Sequence, residues 1–313
     1  MKPLDTPTPS NTPSPQMSPT PNQPAFRVIA YVTDAAVPVV ISYDKLTHIN
    51  YAFLIPNDDG TFAPILNQYM VEDMIRRAHE NGVKVLVSVG GWGWDAEFEK
   101  MAAEASSRTS FVKNLMKVVA ENKFDGVDMD WEYPDEGASS QNFLALMQEL
   151  RAALPKDLLL TAAVAALGQH AMGIPTESFN LMDFVNLMAY DDTGPQHSSF
   201  AYAEASLNFW LERGLPPEKA VLGVPFYGRG TNARMSELSY GKIVKADPSA
   251  AQSDSATANG MEYNYNGIPT IKAKTRLAME KGSGIMFWTL ESDAPGELSL
   301  LNAIHDVVVK GGK

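Results

Sequence analysis

Three acids at alternate positions, Asp128, Asp130 and Glu132, stand in the run Phe124–Pro134 (FDGVDMDWEYP). In an extended strand successive side chains turn to opposite faces, so residues two apart share a face. All three carboxyls then point one way, with neighbouring Cα atoms roughly 6–7 Å apart, while Val127, Met129 and Trp131 point toward something apolar. Carboxyls that close cannot all ionise cheaply, so at least one keeps its proton at neutral pH beside ionised partners. That combination is what cleavage of a glycosidic bond requires. Two acids inside a buried strand have no packing value and cost several kcal/mol unless partnered, so they are read as functional.

The spacing also speaks to mechanism. A protein nucleophile should face the acid across the sugar ring, about 5–5.5 Å away. Asp130 lies instead on the same strand and side as Glu132, placed to hold and polarise a substrate group rather than to attack carbon. A nucleophile supplied by the substrate fits better. Three carboxylates can also hold Mg²⁺ or Ca²⁺. The strand spacing sets these too far apart to clasp one ion, and the five histidines (His48, His79, His170, His197, His305) show no ligand spacing, so no metal is expected.

Elements must position these groups. From Phe26 onward eight strand-like runs alternate with helical patterns: Val28–Val32, His48–Phe53, Lys84–Val89, Gly126–Glu132, Leu158–Val164, Phe184–Tyr190, Ala220–Phe226 and Gly284–Leu290. Most lack strict alternation, as strands buried on both faces do. Helices are predicted over Tyr69–Glu80, Arg108–Asn122, Ser140–Leu154, Ala203–Arg213, Thr270–Lys281 and Leu298–Val309. Eight such units predict an α/β fold, a (β/α)8 barrel, over residues 26–313. A doubly wound sheet would want a glycine-rich turn after the first strand, and Tyr31-Val32-Thr33-Asp34 is not one. In a barrel, chemistry sits where the strands end, which singles out Ser88, Glu132, Tyr190, Asp191, Arg229 and Trp288. A Tyr190 hydroxyl there can donate to a developing negative oxygen. Of the tryptophans, Trp92 and Trp288 fall near the expected mouth and suit stacking on sugar faces. Trp94 is open, and Trp131 and Trp210 read as core.

Composition narrows the partners. A net charge of −12 argues against nucleic acid and anionic membrane surfaces. No apolar run is long enough to span a membrane. Absence of Cys excludes disulfides and thiolate sites. Residues 1–25 carry eight prolines among Thr, Ser, Asn and Gln, a disordered linker or stalk by composition, of the kind that joins extracellular modules or tethers them to a cell surface.

The residues also resemble a known family. Phe124–Pro134 resembles the DGxDxDWEYP signature of family 18 glycoside hydrolases, the chitinase family. Lys84–Trp92 (KVLVSVGGW) is similar to its SxGG motif, Met188–Asp191 (MAYD) to its MxYD motif, and Val224–Gly230 (VPFYGRG) and Gly284–Thr289 (GIMFWT) to its seventh and eighth strands. These matches run in order from about Phe26 to Asp293. The resemblance implies that Glu132 is the proton donor that later activates water, and that the substrate's 2-acetamido oxygen attacks the anomeric carbon with net retention. It makes Asp130 the residue that orients the acetamide, Asp128 the deeper partner sharing its proton, and Tyr190 a donor to the acetamide oxygen with Asp191 beside it. Met188 and Trp288 become walls and floor, Tyr31 and Ser88 partners of the Asp pair, Trp92 a stacking residue and Arg229 a polar contact. Phe53, ending the second strand run, is expected among the substrate-binding residues. The implied activity is hydrolysis of β-1,4 bonds in chitin or another N-acetylglucosamine-containing glycan, without a cofactor, by an extracellular or cell-surface monomer. Alternatives are an endo-β-N-acetylglucosaminidase acting on N-glycan cores and a non-catalytic chitin-binding lectin. The stretch Thr231–Gly267 is shorter and more polar than the α+β domain many members carry there. No sizeable insertion domain is therefore expected, and the more open cleft that follows leans toward endo cleavage.

Overall fold

The computed structural model describes residues 26–33, 40–194, 196–231 and 236–311; the Pro-rich segment 1–25, expected as a linker, lies outside them. In chain order the elements are β1 (Arg27–Thr33), β2 (His48–Leu54), α1 (Gln68–Glu80), β3 (Lys84–Gly90), α2 (Asp95–Ala103), α3 (Ala105–Asn122) and β4 (Gly126–Asp130). Next come α4 (Ala138–Ala153), β5 (Leu159–Ala165), α5 (Gln169–Met172), β6 (Phe184–Met188), α6 (Phe200–Glu212) and β7 (Ala220–Pro225). A short excursion follows: β8 (Tyr227–Gly230), β9 (Glu237–Ser239), α7 (Tyr240–Ala246), β10 (Ser255–Ala258) and β11 (Met261–Asn264). The chain ends with α8 (Ile268–Lys281), β12 (Gly284–Trp288) and α9 (Leu300–Val309). Strands β1, β12, β7, β6, β5, β4, β3 and β2 close in that order into a parallel barrel, the (β/α)8 architecture predicted from the eight runs.

Alternation along each strand sorts the side chains. On β1, Val28, Ala30 and Val32 join the large core between barrel and helices, while Ile29 and Tyr31 join a smaller inner cluster with Ala163, Phe184, Met188, Val221 and Met286. On β4, Val127 and Met129 face the helices, and Trp131 continues that face, stacked on Phe98 at 5.2 Å with its indole N–H on Asp95. Asp128 and Asp130 are left for the interior. The register sets Asp128 beside Ser88 on β3 and Thr161 on β5, so three polar residues share one layer.

Two glycines at the end of β3 let its neighbours β4 and β2 approach closely. A Cβ on Gly90 would meet the Asp130 carbonyl at 2.4 Å, and one on Gly91 would meet the Phe53 ring at 2.5 Å. Both also hold positive φ, 108° and 86°, which glycine adopts freely.

Several boundaries differ from the sequence reading. The fourth, sixth and eighth strands were expected to reach Glu132, Tyr190 and Leu290; they stop at Asp130, Met188 and Trp288. Glu132 therefore belongs to the loop just past its strand, where pairing with β5 has already ended at Met129. Helix α2 was not expected. Its buried Phe98, Met101 and Ala102 form an amphipathic face too short to stand out as a periodic pattern. The connection between β7 and α8 is small, as expected, yet its described residues build a four-stranded antiparallel sheet in the order β10-β11-β8-β9, with α7 against it. Its polar composition hid these strands, whose anchors are a few buried aromatics, Tyr227, Tyr240, Tyr263 and Tyr265. Among the described residues no helix is long and apolar enough to cross a membrane.

Candidate active site

The acids occupy three different environments. Asp128 is fully buried and accepts four hydrogen bonds. Oδ2 takes the Tyr31 hydroxyl at 2.6 Å and the Ser88 hydroxyl at 2.8 Å; Oδ1 takes the Thr161 hydroxyl at 2.5 Å and the Asn186 amide at 3.1 Å. Burial pushes its pKa up, and these four donors work against that. Asp130, equally buried, has an Oδ1 with no hydrogen-bond partner among the described residues. Burial, then the charges of Glu132 and Asp128, hold its carboxyl well above the usual range. A carboxylate with four donors keeps the negative charge better than one with an unpartnered oxygen, so of the two acids Asp130 is the one that holds a proton more readily.

Glu132, half-buried at the rim, has its pKa raised to about 7. Burial is the main cause; a hydrogen bond from Tyr133 opposes it and the charge of Asp191 adds to it. A carboxylic acid with that pKa is about half protonated at neutral pH and can give its proton up or take it back. Tyr133 stacks on His170 at 4.9 Å beside it.

Tyr190 follows β6, its backbone turned so that its N–H reaches the Met188 carbonyl at 2.8 Å. Burial, then Tyr227, Asp130 and Glu132, keep its phenol protonated, so it can only be a donor toward an anionic or carbonyl oxygen. Asp191 sits in the left-handed region at φ 60° and is gripped from the small sheet. Arg229 makes a two-pronged contact, Nε and Nη2 each at 2.7 Å, and the Tyr227 hydroxyl adds a bond at 2.8 Å. Buried His197 places Nδ1 3.3 Å from Oδ1. Burial alone would raise the Asp191 pKa, but the bonds from Arg229, His197 and Tyr227 outweigh it and hold the group ionised. Arg229, expected as a polar contact in the cleft, thus spends two donors on Asp191 and directs a third to Glu237 at 3.3 Å.

The apolar residues expected near the sugar also converge. Trp288 lies 5.4 Å from the Phe53 ring, nearly parallel, and 5.5 Å from Tyr31. Met188 joins Tyr31 in the inner cluster, against which Phe53, Tyr133, Tyr190 and Trp288 pack. Trp92 is 76% exposed on the turn after Gly91. A tryptophan that exposed gains nothing from the protein core, and its ring is free to stack on a ligand.

Sequence reasoning missed Thr161, Asn186, Tyr227 and His197. The first two carried a signal: each is the lone polar residue inside an otherwise apolar strand, LLTAAVA and FVNLM. Tyr227 carried none, since its partner Asp191 is 36 residues away, and His197, though only six residues from Asp191, lies in a loop with no periodicity to pair them.

Comparison with known proteins agrees with this geometry. The sequence profile described as "Glycosyl hydrolases family 18" matches residues 27–293. A probable endochitinase of Caenorhabditis elegans is 34% identical over 224 residues, 59% of this chain and 36% of that protein, so the chain spans little more than a third of that relative's length. Endochitinase 1 of Metarhizium robertsii is 26% identical, covering 84% of this chain and 79% of the fungal protein. Among solved structures, the GH18 chitinase ChiB of Flavobacterium johnsoniae superposes with a TM-score of 0.79 at 30% identity, covering 91% of this chain and 94% of the other. A Bacteroides thetaiotaomicron chitinase does so with a TM-score of 0.82 at 27% identity, covering 92% and 98%. With the profile matching residues 27–293 and the barrel superposing on solved chitinases, the chain belongs to family 18 of the glycosyl hydrolases.

Proposed function

We propose that the protein hydrolyses β-1,4 bonds between N-acetylglucosamine units of chitin or its oligomers, with retention, the substrate's acetamide acting as nucleophile. The observation that carries this reading is the division of labour among four acids. Glu132 is the proton donor at neutral pH. Asp191 is occupied by Arg229 and Tyr227, and Asp128 by its four donors, so neither is free to attack carbon. Asp130, short of a partner, can accept the acetamide N–H on its unsatisfied buried oxygen and, holding a proton, donate to a substrate oxygen.

The steps follow. Glu132 protonates the glycosidic oxygen as the bond to the anomeric carbon breaks. The acetamide oxygen closes on that carbon, giving a cyclic oxazolinium ion whose charge is balanced by the Asp130–Asp128 pair; Tyr190 donates to the acetamide oxygen beforehand and orients it. Glu132, now ionised, takes a proton from water, which opens the ring on the face the leaving group left. Two displacements retain configuration.

Several relatives bear the name endochitinase, and the small insertion leaves the barrel mouth less enclosed, which supports internal cleavage. Exposed Trp92 favours a linear chain of stacked sugars over a branched N-glycan. Such a polymer lies outside cells, so we place the protein there too. Glu132→Gln tests the reading: it should abolish release of reducing ends from N-acetylglucosamine oligomers while leaving binding intact, and the fully deacetylated oligomers should be cut poorly by the unaltered protein. Efficient release of glycans from a high-mannose glycoprotein, with chitin oligomers untouched, would overturn the substrate assignment.

A further inference from the structure

Lys274, on α8, is fully buried, and among the described residues no carboxylate touches its ammonium. Its Nζ lies 2.7 Å from three oxygens: the Ser198 carbonyl, the Ser198 hydroxyl and Oδ1 of Asn266. None of the three can donate back. The Ser198 hydroxyl gives its hydrogen to the Ala189 carbonyl at 2.7 Å. The Asn266 amide nitrogen donates to the Ser198 carbonyl at 2.7 Å, which fixes Oδ1 as an acceptor. Three acceptors need three N–H donors, and only the ammonium has them; a neutral amine would turn a lone pair on one of these oxygens.

The three bonds fasten a loop with a purpose. Residues 189–194 and 196–198 lie between β6 and α6, tied together by Ser198 to Ala189 and by the Asp192 N–H to the His197 carbonyl at 2.9 Å. Within it lie Tyr190, Asp191 and the His197 that sits against Asp191. Lys274 ties this loop to α8 and, through Asn266, to the end of the small sheet. Gln196 reinforces the tie by donating to the Tyr265 carbonyl at 2.7 Å.

We propose that Lys274 is a positioning residue for substrate: its buried ammonium fixes the loop that presents Tyr190 and Asp191 to the acetamido sugar. The inference rests on the reading that these two residues hold that sugar. Burial pulls the ammonium down to about 7, with Asp254 the charge that opposes it. Asp254 is itself taken up by the Gly267 N–H and the Thr270 hydroxyl. Glu204, on neighbouring α6, pairs with Lys281, and the loop's own titratable groups are Asp191, Asp192 and His197. When Lys274 loses its proton one of the three bonds breaks, so the grip on substrate slackens as pH rises past neutrality, independently of Glu132.

The Glu132→Gln background isolates this effect, because it neither turns over nor titrates at that position. Binding of the N-acetylglucosamine tetramer is measured calorimetrically from about pH 6 to 9 in Glu132→Gln and in Glu132→Gln/Lys274→Met. The first should lose affinity about tenfold across the range; the second should be about tenfold weaker at low pH and flatter, the worth of one hydrogen bond. Asp130 is common to both and drops out of the comparison. Superimposable affinity profiles overturn the proposal. If Lys274→Met does not fold, Ser198→Ala takes its place: it removes the hydroxyl acceptor and the tie to Ala189, and binding unchanged from the Glu132→Gln background is the refuting result. If Glu132→Gln binds no tetramer and the unaltered protein cuts none, the proposed function itself has failed. Tetramer binding with no dependence on Lys274 sinks this inference alone.

Discussion

The pH dependence of turnover follows from the state of Glu132. As proton donor it must be protonated in the free enzyme, and its pKa is raised to about 7. The acid form is then about nine-tenths populated one unit below that value and about one-tenth populated one unit above it. Ionisation of Glu132 alone should therefore lower kcat/KM on an N-acetylglucosamine oligomer roughly tenfold between pH 6 and pH 8, along a limb centred near 7, with any loss of affinity through Lys274 adding to that fall. The limb is a property of the coupled Glu132–Asp130 pair, so one apparent pKa is fitted to it. Burial lifts the pKa most, and the negative charge of Asp191 lifts it further. Asp191→Asn removes that charge, so Glu132 ionises more readily and the limb should move to lower pH by a few tenths to about one unit, whatever the loss in rate. Initial rates at substrate well below KM, read as reducing ends across the range, give both values. A profile flat from pH 6 to 8.5 in the unaltered protein, or a limb that moves to higher pH in Asp191→Asn, would refute the assignment of Glu132 and its electrostatics.

Further outcomes follow from the same geometry. Thr161→Val and Asn186→Leu each take one donor from buried Asp128; each should cost about 1–3 kcal/mol of stability by denaturant unfolding and lower kcat more than it raises KM, since Asp128 would then compete with Asp130 for the proton. Trp92→Ala should leave the unfolding midpoint within about 0.5 kcal/mol of the original, because the ring is 76% exposed, while lowering kcat/KM on long oligomers about tenfold. His48, at the other end of the barrel, has its pKa depressed to about 3 by burial, then by Arg27 and Lys84. The unfolded chain therefore binds the proton that the folded state refuses: the stability is present above 6.5 and drains away as pH falls toward 3, by at most about 1.4 kcal/mol per unit. Calorimetric melting of His48→Gln at pH 7 and 5 should show a smaller acid loss than the unaltered protein; an equal loss would remove His48 as the cause.

The strand of acids, the eight-unit barrel and the rim tyrosine were legible because each depends on local periodicity. Alternation puts Asp128 and Asp130 on one face whatever the rest of the chain does, and runs buried on both faces look apolar throughout. The small antiparallel sheet was not legible, since its strands are four residues or fewer and polar on their outer side.

What the tertiary structure alone decided is the protonation and orientation of these groups. Asp128 carries the charge because Tyr31, Ser88, Thr161 and Asn186 arrive from four different strands to donate to it. Asp191 is held ionised because Arg229 and Tyr227 reach it across nearly 40 residues from the sheet after β7, and Lys274 fastens its loop from further still. Sequence fixes which side chains exist and which face of a strand they take. A proton's location depends on every donor and charge within a few ångströms, and those neighbours are assembled only when the barrel closes.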